Sequence, residues 1–163
     1  MQTFAGEESH STNLMRFLLG DPTQVKCESW GQNLKFALTT FSWGNELRAT
    51  LERGFMPSKF WNEECQIYGT RGFLDLKQPV VLLWNTPAIL KVYTDKTDEY
   101  GADWHTYMSE WQSPQRNEHL HFIECIREDK EPRSGGTDSA KDVVIAEAAR
   151  DSLRTGRPVK LTY

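Results

Sequence analysis

Cysteine is scarce in this chain and widely spaced: Cys27, Cys65 and Cys125 are the three among 163 residues. An odd number at such intervals gives neither a disulfide framework nor a C-x-x-C metal pair, so all three are expected as reduced thiols in the core. An excess of basic charge is also missing. Nineteen Lys and Arg stand against 23 Asp and Glu, for a net charge of -4 and a pI near 5.6. With no basic run interleaved with aromatics, nothing draws a phosphate backbone, and no nucleic-acid partner is expected. No apolar run of about 18 residues is present to span a bilayer. The opening "MQTFAGEESH" lacks the basic start and apolar stretch of a signal peptide. The expectation is a cytoplasmic protein with no membrane partner.

Several catalytic signatures are absent as well. None of the 11 glycines falls in G-x-G-x-x-G or in G-x-x-x-x-G-K-[ST], so no nucleotide cradle is visible and no cofactor is expected within these residues. There is no G-x-S-x-G elbow and no H-E-x-x-H pair, which removes the common hydrolase and zincin patterns. His119 and His121 lie in a segment that reads as helix, where residues two apart point away from one another, so no metal site is assigned.

What is present is a globular composition, 38% apolar and 12% aromatic, in a length suited to one domain over 1–163. In "HSTNLMRFLLGDP" the residues Leu14, Phe17 and Leu18 recur at helical spacing. Ser11 or Thr12 is the expected cap, and Gly20 followed by Pro22 the stop. From Thr23 to Thr94 the pattern changes to short period-two segments. Strands are expected near 24–30, 34–43, 46–53, 63–69, 73–77, 79–84 and 88–94, with hairpin turns at "WGN" and "GTRG". Residues 95–113 show no periodicity and read as an ordered loop. Helices follow over about 115–129 and about 138–155, the second capped by Thr137 or Asp138, and "VKLTY" reads as a last strand.

This order implies an α+β fold: an open, mainly antiparallel or mixed β-sheet with helices packed on one face. Three modest helices cannot cover both faces of so wide a sheet. Phe41, Trp43, Tyr68 and Phe73 alternate opposite to Phe36, Leu38 and Ile67, so some of those rings are expected to meet a partner subunit.

Two groups of residues are candidates for chemistry. His10 stands just before the first helix, where the helix's positive end opposes a second positive charge, as suits a general base. His105 lies among Trp104, Tyr107, Glu110 and Trp111, a mixture of aromatic walls and placed polar groups that suits a small-molecule pocket.

The stretches "HSTNLMRFLLGDP", "CQIYGTRGFLDL", "HFIECIREDKEP" and "DVVIAEAARDSLRTGRPVKL", in this order, resemble the C-terminal domain of the Gfo/Idh/MocA oxidoreductases, the glucose-fructose oxidoreductase and inositol dehydrogenase family. The first is similar to the family's H-x-x-D-x-x-R-x-L-L-G, with His10 and Arg16 matching and Asn13 in place of the aspartate. The second is similar to its I-x-G-x-x-G-x-L hairpin. The resemblance implies an NAD(P)-dependent enzyme in which a Rossmann domain holds NAD or NADP and this domain completes the substrate site, with the other sheet face forming an oligomer interface. His10 is then the family-matched catalytic position, and Arg16, Trp104, His105 and Tyr107 are substrate-binding candidates.

The family's aspartate four residues before the histidine falls here on Gly6, and its lysine, carried by the Rossmann domain, has no counterpart. The chain thus reads as truncated at its N-terminal side. It is expected to bind a sugar-like molecule and to self-associate, and to be inactive by itself unless a separate Rossmann-domain subunit completes it. The alternative is a stand-alone small-molecule-binding or purely structural assembly module derived from that domain.

Overall fold

Residues 9–31, 36–54, 62–80, 86–95, 103–110 and 113–163 are described by the structure, a computed structural model. They form α1 (Ser9–Leu19), β1 (Gln24–Trp30), β2 (Phe36–Trp43), β3 (Leu47–Gly54), β4 (Glu63–Gly69), β5 (Gly72–Gln78), β6 (Ile89–Thr94), β7 (Asp103–Met108), α2 (Pro114–Glu128), α3 (Gly136–Thr155) and β8 (Val159–Lys160). The fold is α+β. Its strands are shared between two four-stranded sheets rather than one, in the orders β3-β2-β1-β8 and β4-β5-β6-β7, and every pairing among the described residues is antiparallel. A period-two pattern marks a strand without saying which strand it pairs with, so the division was hidden in the sequence. The chain forms two compact units, 1–57 with 133–163, and 58–132.

In the first unit, α3 lies on the β1–β2 face. Ile145, Ala148, Ala149 and Ser152 recur at helical spacing, and the alanines let the helix axis approach the sheet closely. They meet Val25 and Cys27 of β1 and Phe41 of β2, with Met15, Trp43, Leu51 and Val159 packed around them. Phe41 is 1% exposed. A polar lock crosses the same core, where Ser152 Oγ accepts the Cys27 N–H at 3.0 Å and Thr39 Oγ1 donates to Cys27 Sγ at 3.2 Å. An unmatched strand N–H there would cost about 1–3 kcal/mol.

This packing narrows one expectation. Phe41 and Trp43 are on the helix-covered face, which leaves Tyr68 and Phe73 of the four rings expected to include partner contacts; Phe36 and Leu38, of the other parity, face away from α3. Apolar alternation fixes which residues share a face, but not which face the helices cover.

Helix boundaries follow their caps. α1 begins at Ser9, so the expected caps Ser11 and Thr12 lie inside it, with Thr12 buried. Its end is the expected one: Gly20 takes φ 81° and its N–H reaches the Arg16 carbonyl at 2.8 Å. α3 is entered through Gly135 rather than Thr137 or Asp138, and stops at Gly156 in the left-handed region.

The second unit holds β4 to β7 as a meander, the first hairpin turning at Thr70 and Arg71. Its fourth strand, β7, falls inside the segment read as loop. Trp104, Tyr107 and Met108 of β7 are all more than half exposed, so this edge strand buries neither face well enough to show alternation. Pro79 and Val80 are not in a strand, and the rest of the expected strand at 79–84 lies outside the described residues. Ser113 caps α2, accepting the Arg116 N–H, and Asp129 ends it at φ 51°. The apolar stripe Leu120, Ile123 and Ile126, with Phe122, is exposed; Cys125 is the buried residue of this helix. All three cysteines are thiols, two of them buried as expected and Cys65 half-buried.

Candidate functional site

His10 occupies the second position of α1 with its side chain exposed, open to a molecule approaching from solvent. Two turns along the same helix, the Arg16 guanidinium makes four hydrogen bonds. Its Nε donates to Asp21 Oδ1 at 2.8 Å, Nη1 to Asp142 Oδ1 at 2.9 Å and to the Asp138 carbonyl at 3.1 Å, and Nη2 to Asp138 Oδ1 at 2.6 Å. The side chain is 3% exposed. Burial by itself would lower the Arg16 pKa, but the hydrogen bonds to Asp142, Asp138 and Asp21 outweigh it and hold the guanidinium above its ordinary value.

The surrounding groups are bonded to one another. Asn13 Nδ2 donates to Asp142 Oδ2 at 2.9 Å, and Lys141 Nζ donates to the second oxygen of Asp21. Burial acts to raise Asp21, yet Lys141 and Arg16 hold it below the usual carboxylate range. Tyr163, at the chain's C-terminus, donates its hydroxyl to the Pro22 carbonyl at 2.8 Å, and Lys141 Nζ lies 5.7 Å from its ring centre. Burial, with Asp21 adding to it, pushes the Tyr163 phenol up to about 12. Arg16 thus clasps α1 to α3 and to the turn after α1. Its acceptors lie more than 100 residues away in sequence except for Asp21. The spacing of Asp138 and Asp142, one helical turn apart at the start of α3, was the signal that could have marked them.

In the other unit, β7 places its candidates on two faces. Trp104 extends a row of rings set directly across all four strands, Tyr68, Phe73, Tyr93 and Trp104. Tyr68 and Phe73 have ring centres 4.7 Å apart, and Tyr93 and Trp104 5.3 Å. The row beside it is polar, with Gln66, Asp75, Lys91 and Thr106. His105 and Tyr107 point to the opposite face, their rings 6.5 Å apart, with Asp103 Oδ2 3.6 Å from His105 Nε2. Strand alternation therefore separates Trp104 from His105 and Tyr107, so the pocket expected from their closeness in sequence is divided between two faces. Trp111 lies outside the described residues. A carboxylate, an imidazole and a phenol in line along an edge strand can hydrogen-bond a hydroxylated ligand.

Among the described residues no helix is long and apolar enough to cross a membrane, and no three metal-ligating side chains gather as a metal site. The sequence matches the family model described as the oxidoreductase family, C-terminal alpha/beta domain, over residues 4–161. Comparison with curated protein sequences finds no match. Among solved structures, levoglucosan dehydrogenase in complex with NADH and levoglucosan is similar with a TM-score of 0.80 at 14% identity, over 99% of this chain and 50% of that one. An oxidoreductase from Agrobacterium radiobacter in complex with NAD+, L-tartaric acid and magnesium is similar with a TM-score of 0.66 at 20% identity, over 93% of this chain and 47% of that one. The chain spans about half the length of these structures.

Proposed function

Because the chain belongs to the Gfo/Idh/MocA oxidoreductase family as its C-terminal α/β domain, we propose that these residues bind the substrate and mediate assembly of an NAD(P)-dependent oxidoreductase acting on a sugar or cyclitol hydroxyl. The family match over residues 4–161 carries this reading, and the similarity to levoglucosan dehydrogenase supports a sugar-like substrate.

The described residues do not themselves fit a dinucleotide. Such a site needs parallel strands joined through a Gly-rich turn and a helix, whereas every described pairing is antiparallel. NAD or NADP is accordingly assigned to a Rossmann domain outside these residues, on the same polypeptide or on a separate subunit. Hydride chemistry belongs to that cofactor. The part of this chain's first unit is to offer His10 as the proton-handling group; His105 and Tyr107, in the second unit, are separate polar candidates for ligand contact. We assign self-association to the ring-bearing face of the β4–β7 sheet, and a reducing, cytoplasmic compartment, which suits three thiols.

A thermal-shift panel of sugars and cyclitols, run with and without NAD(P)H, tests the reading. A polyol should raise the melting temperature, His10→Ala should reduce that rise, and the dinucleotide should add nothing. Stoichiometric NAD(P) binding by the chain unaided, or no response to any polyol, would overturn it.

A further inference from the structure

α1 is 11 residues long, too short to hold its shape without docking. Its docking is unlike that of its neighbours. Phe17 and Leu18 are 70% and 46% exposed, Thr12 is buried, and Met15 packs against the apolar core. The charged part of the docking is the clasp around Arg16. The sheet and α3, by contrast, are joined by Val25, Phe41, Ile145, Ala148 and Ala149, none of which titrates.

The groups facing Arg16 come from every element packed against it: Asp21 from the turn after α1, Asp138 and Asp142 from α3, with Lys141 of α3 and Tyr163 of the C-terminus behind Asp21. Three carboxylates thus face two cations. Protonating them leaves a buried guanidinium without its counter-charges, and an unpaired buried charge strongly disfavours the docked state. Water then solvates Arg16 once the helix lifts, whereas the apolar contact of α3 with the sheet is unaffected by the same protons.

We propose that α1 is an acid-released arm: neutralising the carboxylates around Arg16 frees Ser9–Leu19, with His10 on them, from α3 while β1, β2 and α3 stay folded. Acid would thereby remove the candidate proton-handling residue from its place before the domain unfolds. Release of α1 needs no function for His10, so its failure would leave the substrate reading untouched.

Hydrogen exchange followed residue by residue on the full chain, corrected for intrinsic rates, tests this. Between about pH 7 and about pH 2.5, protection of the α1 amides should fall about tenfold or more, most of it below about pH 4, while that of β1, β2 and α3 changes by less than about threefold. Asp142→Asn should lower α1 protection about tenfold at neutral pH, and Asp21→Asn, at a more exposed position that folding tolerates, should move the release to higher pH. Loss of protection by α1 and β1 together, α1 protection that ignores pH, or an Asp21→Asn chain that releases α1 at the pH of the parent would each overturn the proposal.

Discussion

Arg16 Nη1 and Asp142 Oδ1 lie 2.9 Å apart with side chains 3% and 6% exposed, an ion pair that bridges the first helix and the last. Each partner without the other would be a buried charge. Arg16→Met is therefore expected to lower unfolding free energy by about 3–5 kcal/mol, the scale for breaking a buried pair from one side. Arg16→Met combined with Asp142→Leu should recover part of that loss, since apolar replacements leave fewer orphaned charges. Urea midpoints of the two variants decide it, and a double variant no more stable than the single one would refute the pairwise account.

The same cluster sets two pH limits on stability. Asp21 is held below its ordinary pKa, so the stabilisation it gives is complete above the unfolded carboxylate range and fades as pH falls through its lower folded value. Tyr163 is the opposite case, raised to about 12: its contribution is complete below the ordinary phenol value near 10 and is lost as pH climbs through 12. Asp21→Asn should flatten the acid limb of a urea-midpoint profile, and Tyr163→Phe the alkaline limb. If each substitution merely lowered the whole curve, neither shift would be linked to folding.

Gly72 is pinned by its partner strand. A Cβ built there would stand 2.2 Å from the Tyr93 carbonyl oxygen, whereas at Gly69 the nearest atom is 3.5 Å away. Gly72→Ala should therefore destabilise the β4–β7 unit by about 1–3 kcal/mol as the strands are forced apart. Gly69→Ala should stay within about 0.5 kcal/mol. Thermal melts followed by tryptophan fluorescence would compare them, and equal melting temperatures would argue against steric pinning.

These residues also show how far a sequence can be read. β1 at Gln24–Trp30 and β4 at Glu63–Gly69 fall where their alternation places them, and α2 and the "GTRG" turn lie within a residue of expectation, because local pattern and turn chemistry agree there. β7 was hidden because an edge strand exposed on both faces need not alternate. Arg16 was visible as a matched position and its clasp was not: Asp138 and Asp142 come from 122 and 126 residues away, and only folding brings them close. For the same reason Trp104 and His105 looked like one cluster in the sequence, where β-strand geometry sends them to opposite faces.

The two sheets also separate two kinds of aromatic residue that share one pattern in the sequence. Phe41 is enclosed under α3, while Tyr68 is 79% and Trp104 54% exposed at the two ends of the ring row. Exposed Tyr and Trp in a continuous row suit a subunit interface, where such rings supply most of the binding energy. Tyr68→Ser and Trp104→Ser should each weaken self-association by about tenfold or more with little change in stability. Phe41→Leu should do the reverse, costing about 1 kcal/mol of stability as the core repacks while leaving association unchanged. Sedimentation velocity over a concentration series reads the first quantity and urea denaturation the second. A parent chain that stays monomeric at micromolar concentration would remove the interface from this face, and an association constant that responded to Phe41→Leu but not to Trp104→Ser would move it to the other sheet.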